Sequence, residues 1–370
     1  MATPSLALIP TGFKAGKLYS VLPEDGTGDF DVTRATTATR VNEQGLIESM
    51  AINVPRLDYT DGGCPVLLTE PQSTNLSLYS EDFSNAVWSL TRGTITPNLG
   101  IAPDGLQTAD KFTATDDDAR LIQSISSADI RTQSIYVKSA QASDVAGQID
   151  FSGLNIVTFT ANQEWQRVES TLDNVAFNST RLRITNSGDE LYIWGGQLED
   201  LSYATSYIPT NGWIETRVKD EVSKSGLSSE INSVEGVLFF EGSALTEDGT
   251  NRYIYLGDGT STNRVVIRYS TIENDIRALI SVGGSSWSEG HIVADATLNA
   301  KIALKWKQND FALWVDGVEV LTTTSFNSFG SGVLNTLNFS YSGVEFYGNC
   351  KQLQVYKTAL TDAELISLTS

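Results

Sequence analysis

Hydrolysis of a glycosidic bond needs two carboxylates facing one cleft, and on a strand two side chains share a face only at i and i+2 or i+4. The candidate strand Gly343-Val344-Glu345-Phe346-Tyr347-Gly348-Asn349 offers Glu345 alone. A single glutamate there reads as ordinary sheet surface, so a glycan depolymerase is the weakest of the functions considered and the chain is expected not to be an enzyme. His291 is the only histidine. A Ser-His-Asp arrangement would have to use it, no Gly-x-Ser-x-Gly elbow accompanies it, and metal centres built on His or Cys lack ligands. Calcium is the one cofactor left open, because it takes oxygen ligands. Asp116 and Asp118, in the run Asp116-Asp117-Asp118, are the candidate calcium pair. Asp258, in the turn Gly257-Asp258-Gly259, is a candidate for calcium or for sugar hydroxyls. Trp88, Trp165, Trp194, Trp306 and Trp314 fall in strand-like sequence and read as core. Trp287 differs: it lies in GGSSWSEG, read as a Gly/Ser-rich loop, where an indole would be covered by its own domain, a neighbouring subunit or a sugar.

The elements that carry these residues are short and alternate apolar with polar positions, the period of a half-buried strand. From Asn75 onward they run RLIQSI, TQSIYVKS, GQIDFSG, NIVTFTA, QRVESTL, RLRITNS and ELYIWGGQLED. From Ile231 they run GVLFFEGSAL, RYIYLGD, RVVIRYS, IRALISV, KIALKWK, FALWVDGVEVL, TLNFSYS and KQLQVYK. KIALKWKQNDFALWVDG predicts a hairpin through a Gln-Asn-Asp turn. Thr361-Asp362-Ala363-Glu364 predicts a capping box before a short terminal helix. The fold class is all-β: an extended N-terminal segment followed by two antiparallel β-sandwich (jelly-roll) domains. The expected boundaries are 1–73 for an attachment and oligomerisation segment, 74–212 for the first sandwich, 213–230 for a polar linker, and 231–370 for the second.

Composition restricts the partners. The 370 residues carry a formal charge of −20, which argues against nucleic acid, whose phosphates are bound by clustered Lys and Arg. No apolar run approaches the ~20 residues of a membrane helix, and the opening MATPSLALIPTGFKAG does not read as a secretion signal. Cys64 and Cys350 fall in different expected domains and read as free thiols. Leu6, Leu8, Ile9, Leu18, Val21 and Leu22 are too few to close a core in the opening segment by themselves. Burial against a partner is their natural outlet, and a homotrimer is the favoured assembly.

The opening carries Gly16-Lys17-Leu18-Tyr19-Ser20, Arg34-Ala35-Thr36, Ala38-Thr39-Arg40, Gly45-Leu46-Ile47-Glu48, Pro55-Arg56-Leu57-Asp58-Tyr59 and the run from Leu67 to Ser80. In this order it resembles a family of bacteriophage virion proteins common in phages and prophages of Bacteroidetes, crAss-like phages included. Phe83 and Trp88 after an Asn-Leu start, with the closing Trp194-Gly195-Gly196-Gln197-Leu198-Glu199 and Ala204-Thr205-Ser206-Tyr207-Ile208-Pro209-Thr210, resemble jelly-roll carbohydrate-binding modules. Ile302-Ala303-Leu304, Leu313-Trp314-Val315-Asp316-Gly317 and the ending QLQVYKTALTDAEL resemble laminin-G and concanavalin-A-like lectin sandwiches, which often hold a structural calcium. These resemblances imply a virion surface protein made in a bacterial host cytoplasm. It would decorate a capsid or form a head or tail fibre, join other virion proteins through its N-terminal segment, and present lectin-like domains to cell-surface glycans. A capsid-cement protein without a ligand is the alternative.

Overall fold

The computed structural model describes residues 2–127 and 129–370. It is built almost wholly of antiparallel strands, with one short helix at Asp362–Thr369. The chain divides into two compact units, and both are discontinuous in sequence. One comprises residues 1–35, 50–71 and 219–370; the other comprises 36–49 and 72–218.

The first unit is a sandwich of two large sheets. One sheet runs, in order, Val318–Thr323, Phe311–Val315, Ala300–Trp306, Gly236–Ala244, Gly348–Tyr356, Val66–Thr69 and Arg56–Asp58, with Leu6–Leu8 also paired to Gly348–Tyr356. The other runs Phe13–Lys14, Lys17–Leu18, Phe30–Thr33, Glu221–Ser225, Thr336–Asn338, Arg252–Gly257, Arg264–Tyr269, Asp275–Val282 and Ser285–Ile292. Their facing sides fill one core, in which Leu238, Phe240, Ile302, Leu304, Leu353 and Val355 meet Ile254, Leu256, Val265, Ile267, Ile276 and Ile280. The first sheet is also covered behind. Val237, Phe239, Ala303, Trp314 and Tyr356 pack with Leu360 and Leu365 from the terminal helix. Gly236–Ala244 is therefore buried at nearly every position instead of alternating, with a continuous apolar run from Val237 to Phe240, because both its faces are covered.

The N-terminal strands change the expected organisation. The segment 1–73 is not a separate attachment piece. Leu6, Leu8, Leu18, Phe30, Val32, Leu57 and Leu67 are buried in the same core as the C-terminal strands. Leu6 pairs with Val355, and Val32 pairs with Val222. The outlet expected in a partner subunit is thus supplied by the chain's own sandwich for Leu6, Leu8 and Leu18, while Ile9 and Val21 stay exposed. Leu6, Leu8 and Leu18 therefore leave no apolar surface that calls for a trimer. The expected linker 213–230 is also structured, since Glu215–Arg217 pairs with Ser73–Asn75 and Glu221–Ser225 joins the large sheet. Cys64 is exposed and Cys350 buried, both within this unit rather than in different domains.

The second unit is a sandwich of two five-stranded sheets. One runs Trp88–Thr91, Ala119–Gln123, Thr180–Ile184, Val145–Phe151 and Leu154–Ala161; the other runs Gly93–Gly100, Ala109–Ala114, Glu190–Glu199, Arg131–Ser139 and Gln166–Leu172. Phe83, Phe112, Leu121, Val137, Ile149, Leu182 and Ile193 close the core between them. The strands read from Asn75 onward are present, joined by two that the sequence left unread, Gly93–Gly100 and Ala109–Ala114. Trp194, Trp306 and Trp314 are buried as expected, whereas Trp88 and Trp165 are only half-buried.

Local sequence accounts for the turns. The Gln-Asn-Asp hairpin forms with Asn309 at φ 58. FALWVDGVEVL is two strands, because Asp316 and Gly317 both take positive φ and reverse the chain. Thr361 caps the helix as read: its hydroxyl accepts from the Glu364 N–H at 3.4 Å, and the Glu364 carboxylate accepts from the Thr361 N–H at 3.0 Å. Thr361→Ala should lower the stability of the first unit by about 1 kcal/mol, read as a shift in the urea midpoint at unchanged slope.

Candidate functional site

The second sheet of the first unit has one face in the core and one face outward, and the alternation along each strand decides which residues face out. In Arg252–Gly257, Ile254 and Leu256 enter the core, which leaves Tyr253 and Tyr255 on the outer face. In Arg264–Tyr269, Val265 and Ile267 are inward, so Arg264, Val266 and Arg268 are outward. In Asp275–Val282, Ile276, Ala278 and Ile280 are inward, so Arg277, Leu279 and Ser281 are outward. Tyr255, Val266 and Leu279 form an apolar strip across this face, with Tyr253 and Tyr341 packed on it.

Tyr341 is brought there by a small hairpin. Ser340–Tyr341 pairs with Val344–Glu345, and Ser342 and Gly343 take φ 54 and 79, a two-residue reversal. Phe339 and Phe346, on either side, are buried in the core with ring centroids 6.1 Å apart, and the Phe346 N–H bonds the Phe339 carbonyl at 2.6 Å. The hairpin is therefore rooted in the core while its tip lies on the outer face. The Tyr341 ring stacks on Tyr255 at 5.1 Å and 13°, meets the edge of Tyr253 at 5.7 Å, and lies 4.5 Å from the Arg264 guanidinium. Such ring pairs contribute about 0.5–1.5 kcal/mol each beyond their burial.

Beside the stacked rings lies a cleft of roughly 210 Å³, lined by Tyr255, Thr260, Ser261, Asn338, Ser340 and Tyr341. Aromatic faces with hydroxyl and amide groups at their edges suit a sugar ring, which has an apolar face and a polar rim. The cleft is smaller than the roughly 300–1,000 Å³ of enclosed ligand pockets and is open, so it suits one or two rings lying on a platform. Its rim is rigid. The Tyr255 hydroxyl accepts from the Gly259 N–H at 2.8 Å and donates to the Thr260 carbonyl at 3.0 Å. Burial pushes the Tyr255 phenol up to about 12. Gly257 cannot carry a side chain here, because a Cβ would lie 2.2 Å from the Tyr255 hydroxyl oxygen.

The expected site residues fall differently around this cleft. Asp258 is in the rim turn. Its carboxylate accepts from Thr260 N at 2.8 Å, Thr260 Oγ1 at 2.6 Å and Asn263 Nδ2 at 2.8 Å. Partial burial works to raise this carboxyl, but those hydrogen bonds outweigh it and hold it below the usual carboxylate range. Asp258 thus shapes the loop through Thr260. Trp287 is not in an irregular loop. Ser285–Ile292 is the edge strand of the sheet, closed by Gly283 and Gly284 at φ 55 and 88, and Trp287 pairs with Ile280 and packs half-buried against the core. Its indole is turned to the face opposite the tyrosines.

Asp116 and Asp118 do not fit a calcium ion, which takes six to eight oxygens. The Asp118 carboxylate is bonded by Arg183, Nε at 2.9 Å, and by Arg120, so guanidinium groups already supply the positive charge. Burial opposes ionisation, and those two arginines more than reverse it, holding the Asp118 carboxyl low. Asp116 is exposed and accepts from the Asp117 N–H at 2.8 Å. Among the described residues, no group of three or more His, Cys, Asp or Glu side chains is placed to hold a metal ion. Glu345 is not sheet surface either. It is buried, paired with Lys219, and accepts from the Tyr347 hydroxyl at 3.2 Å.

Tyr253, Tyr255, Tyr341 and Arg264 were not picked out from the sequence. The alternation in RYIYLGD marks Tyr253 and Tyr255 as sharing a face, but no local signal brings Tyr341 to them. Trp213, in the second unit, was also passed over, inside a stretch read as polar linker; it is 77% exposed and precedes Ile214, which is exposed as well.

No protein-family model matches the chain, and no curated protein matches it. Among solved structures it is similar to domain 4 of AbnA, a GH43 extracellular arabinanase from Geobacillus stearothermophilus, in complex with arabinotriose. That match has 14% identity and a TM-score of 0.35, over 46% of this chain and 84% of that one. It is also similar to domains LG4-5 of the mouse laminin alpha1 chain, with 9% identity and a TM-score of 0.27, over 67% and 89% of the two chains. The N-terminal CBM22-1–CBM22-2 tandem domain of Paenibacillus barcinonensis Xyn10C matches at 10% identity and a TM-score of 0.28, over 78% and 99%. Likenesses this distant add nothing to the reading of the site.

Proposed function

We propose that the chain is a non-enzymatic glycan-binding protein displayed on the surface of a bacteriophage particle, where it serves adhesion to host or environmental glycans. The observation that carries the binding reading is the Tyr341 ring, half-exposed and backed by the buried Tyr255, beside a cleft edged by Asn338, Ser340 and Thr260. A ring pair rooted through Phe339 and Phe346 is pre-organised, so little ordering opposes a ligand. The particle location rests on the N-terminal sequence motifs alone. The non-enzyme reading is supported by Glu345, whose carboxylate is committed to Lys219 within the fold.

Binding to one such platform is weak, and several copies on one particle would raise the effective affinity by ~10²–10⁴ through avidity. The intact chain should be retained by at least one polysaccharide on a glycan array. Tyr341→Ala should weaken that binding ~10-fold or more, the loss of about 1.5 kcal/mol of ring burial. A chain that binds no glycan would favour the capsid-cement reading and end this one. Immunolabelled particles free of the protein would end the virion placement.

A further inference from the structure

We propose that the ligand of the tyrosine cleft is an acidic glycan, a sugar chain carrying carboxylate or sulfate groups; this deepens the glycan-binding reading and rests on it. The observation is a pair of arginines on the outer face that the protein itself leaves without a counter-charge. Arg264 and Arg268 are half-buried, and among the described residues neither has a carboxylate within ion-pairing distance. Their buried Nε atoms lack a hydrogen-bond partner, as do those of Arg56 and Arg252, so it is the missing carboxylate that sets Arg264 and Arg268 apart. Elsewhere in this unit buried and half-buried arginines are matched. Arg34 and Arg56 share Asp220, Arg252 meets Asp248 at 3.0 Å, and Arg277 meets Asp275 at 2.5 Å.

The exceptions stand out against composition. Asp and Glu number 45 against 25 Lys and Arg, so carboxylates are the commoner group. Withdrawing a cation from water without a partner is unfavourable, and here the withdrawal coincides with the aromatic platform. Arg264 lies over Tyr341, and its face on the ring recovers part of the loss. Arg268 stands directly across from Tyr253 and beside Arg277, so the tyrosines have a guanidinium at each end. Arg264 and Arg268 are four residues apart on one strand, ~13 Å at 3.3 Å per residue. A single sugar ring does not reach both. A chain of sugars with repeated negative groups does, its rings over the half-exposed Tyr341 and Tyr253 and its anions at the two ends. Arg is suited to both anions because its planar fork pairs with carboxylate or sulfate oxygens two at a time.

The overall charge gives the binding a signature. At ~0.01 M salt the screening length is ~30 Å and the net negative charge repels a polyanion; at ~0.15 M it is ~8 Å and only the local arginines are felt. Affinity should therefore rise on adding salt and fall again near ~1 M, where the arginines too are screened. A simple basic patch would show only the fall.

The test is calorimetric titration of the intact chain with oligosaccharides of polygalacturonate (carboxylated), heparin (sulfated) and dextran (neutral), and with polyglutamate as a polyanion without sugar rings. At least one acidic sugar should bind ~10-fold or more tighter than dextran and polyglutamate, and the arm that binds names the anion. Arg264→Gln and Arg268→Gln should each lose ~10-fold for it, the value of a charged hydrogen bond, with dextran unaffected. Arg268→Lys keeps the charge and should lie between Gln and the natural residue, which separates lost recognition from damaged folding. Dextran bound as tightly as the acidic sugars, polyglutamate bound equally, or arginine variants that bind like the natural chain would overturn the acidic ligand while leaving glycan binding intact. No binding to any of the sugars would overturn both.

Discussion

Arg56→Ala should lower the stability of the first unit by about 3–5 kcal/mol, the loss that follows when one partner of a buried ion pair is removed. Arg56 is 0% exposed. Its guanidinium bonds Glu70 and Asp220, and Arg34 bonds the same Asp220 at 2.9 Å. The backbone closes the group: the Glu70 N–H donates to the Asp220 carboxylate at 3.0 Å, and the Asp220 N–H to the Glu70 carbonyl at 3.1 Å. Burial works against the Arg56 charge, and the two carboxylates outweigh it, holding the guanidinium above its usual range. Without Arg56, the buried carboxylates Glu70 and Asp220 both lose the guanidinium they share. Whole domains have only 5–15 kcal/mol of stability, so the urea midpoint should fall by a large fraction. A shift worth less than 1 kcal/mol would mean that the network is solvated and holds nothing together.

The fragment 231–370, the second sandwich expected from the sequence, should not fold alone. It contains the strands that the pattern reveals but lacks Leu6–Leu8, Phe30–Thr33, Val66–Thr69 and Glu221–Ser225. Leu6, Leu8, Leu18, Phe30, Val32, Leu57, Leu67, Val222 and Leu227 all leave the core with them. Each buried side chain of this kind contributes ~1.5–3 kcal/mol, so losing even half of them is comparable to the whole stability of an ordinary domain. Gly348–Tyr356 would also lose its pairing to both Leu6–Leu8 and Val66–Thr69 and present an open edge, which promotes aggregation. The fragment should bind a hydrophobic dye and unfold without a cooperative transition. A chain lacking residues 1–70 should show the same defect in its first unit. The contiguous fragment 72–218, by contrast, keeps the whole core between its two five-stranded sheets and should unfold cooperatively. A sharp two-state transition in 231–370 would show that the N-terminal strands are accessory.

The sequence by itself determined the fold class and most of the strands, because alternation and turn chemistry are local. Ile254 and Leu256 against Tyr253 and Tyr255 state both that a strand is present and which residues share each face. The hairpin at Asn309 and the cap at Thr361 were legible for the same reason. Where local pattern was weak it misled: Gly283-Gly284 made Ser285–Ile292 look like a loop, although two glycines are also a tight hairpin turn, and that moved Trp287 from a loop to an edge strand. The pairing partners were decided only in three dimensions. Nothing near Leu6 indicates that it pairs with Val355, nothing near Arg56 indicates Asp220, 164 residues away, and nothing near Tyr341 indicates Tyr255. A strand's pattern says which face must be buried but not against what, and bringing distant segments together costs little more for a long loop than for a short one. The choice therefore falls to the apolar surface and charge that each pairing removes from water, a property of the assembled sandwich and not of any stretch of chain.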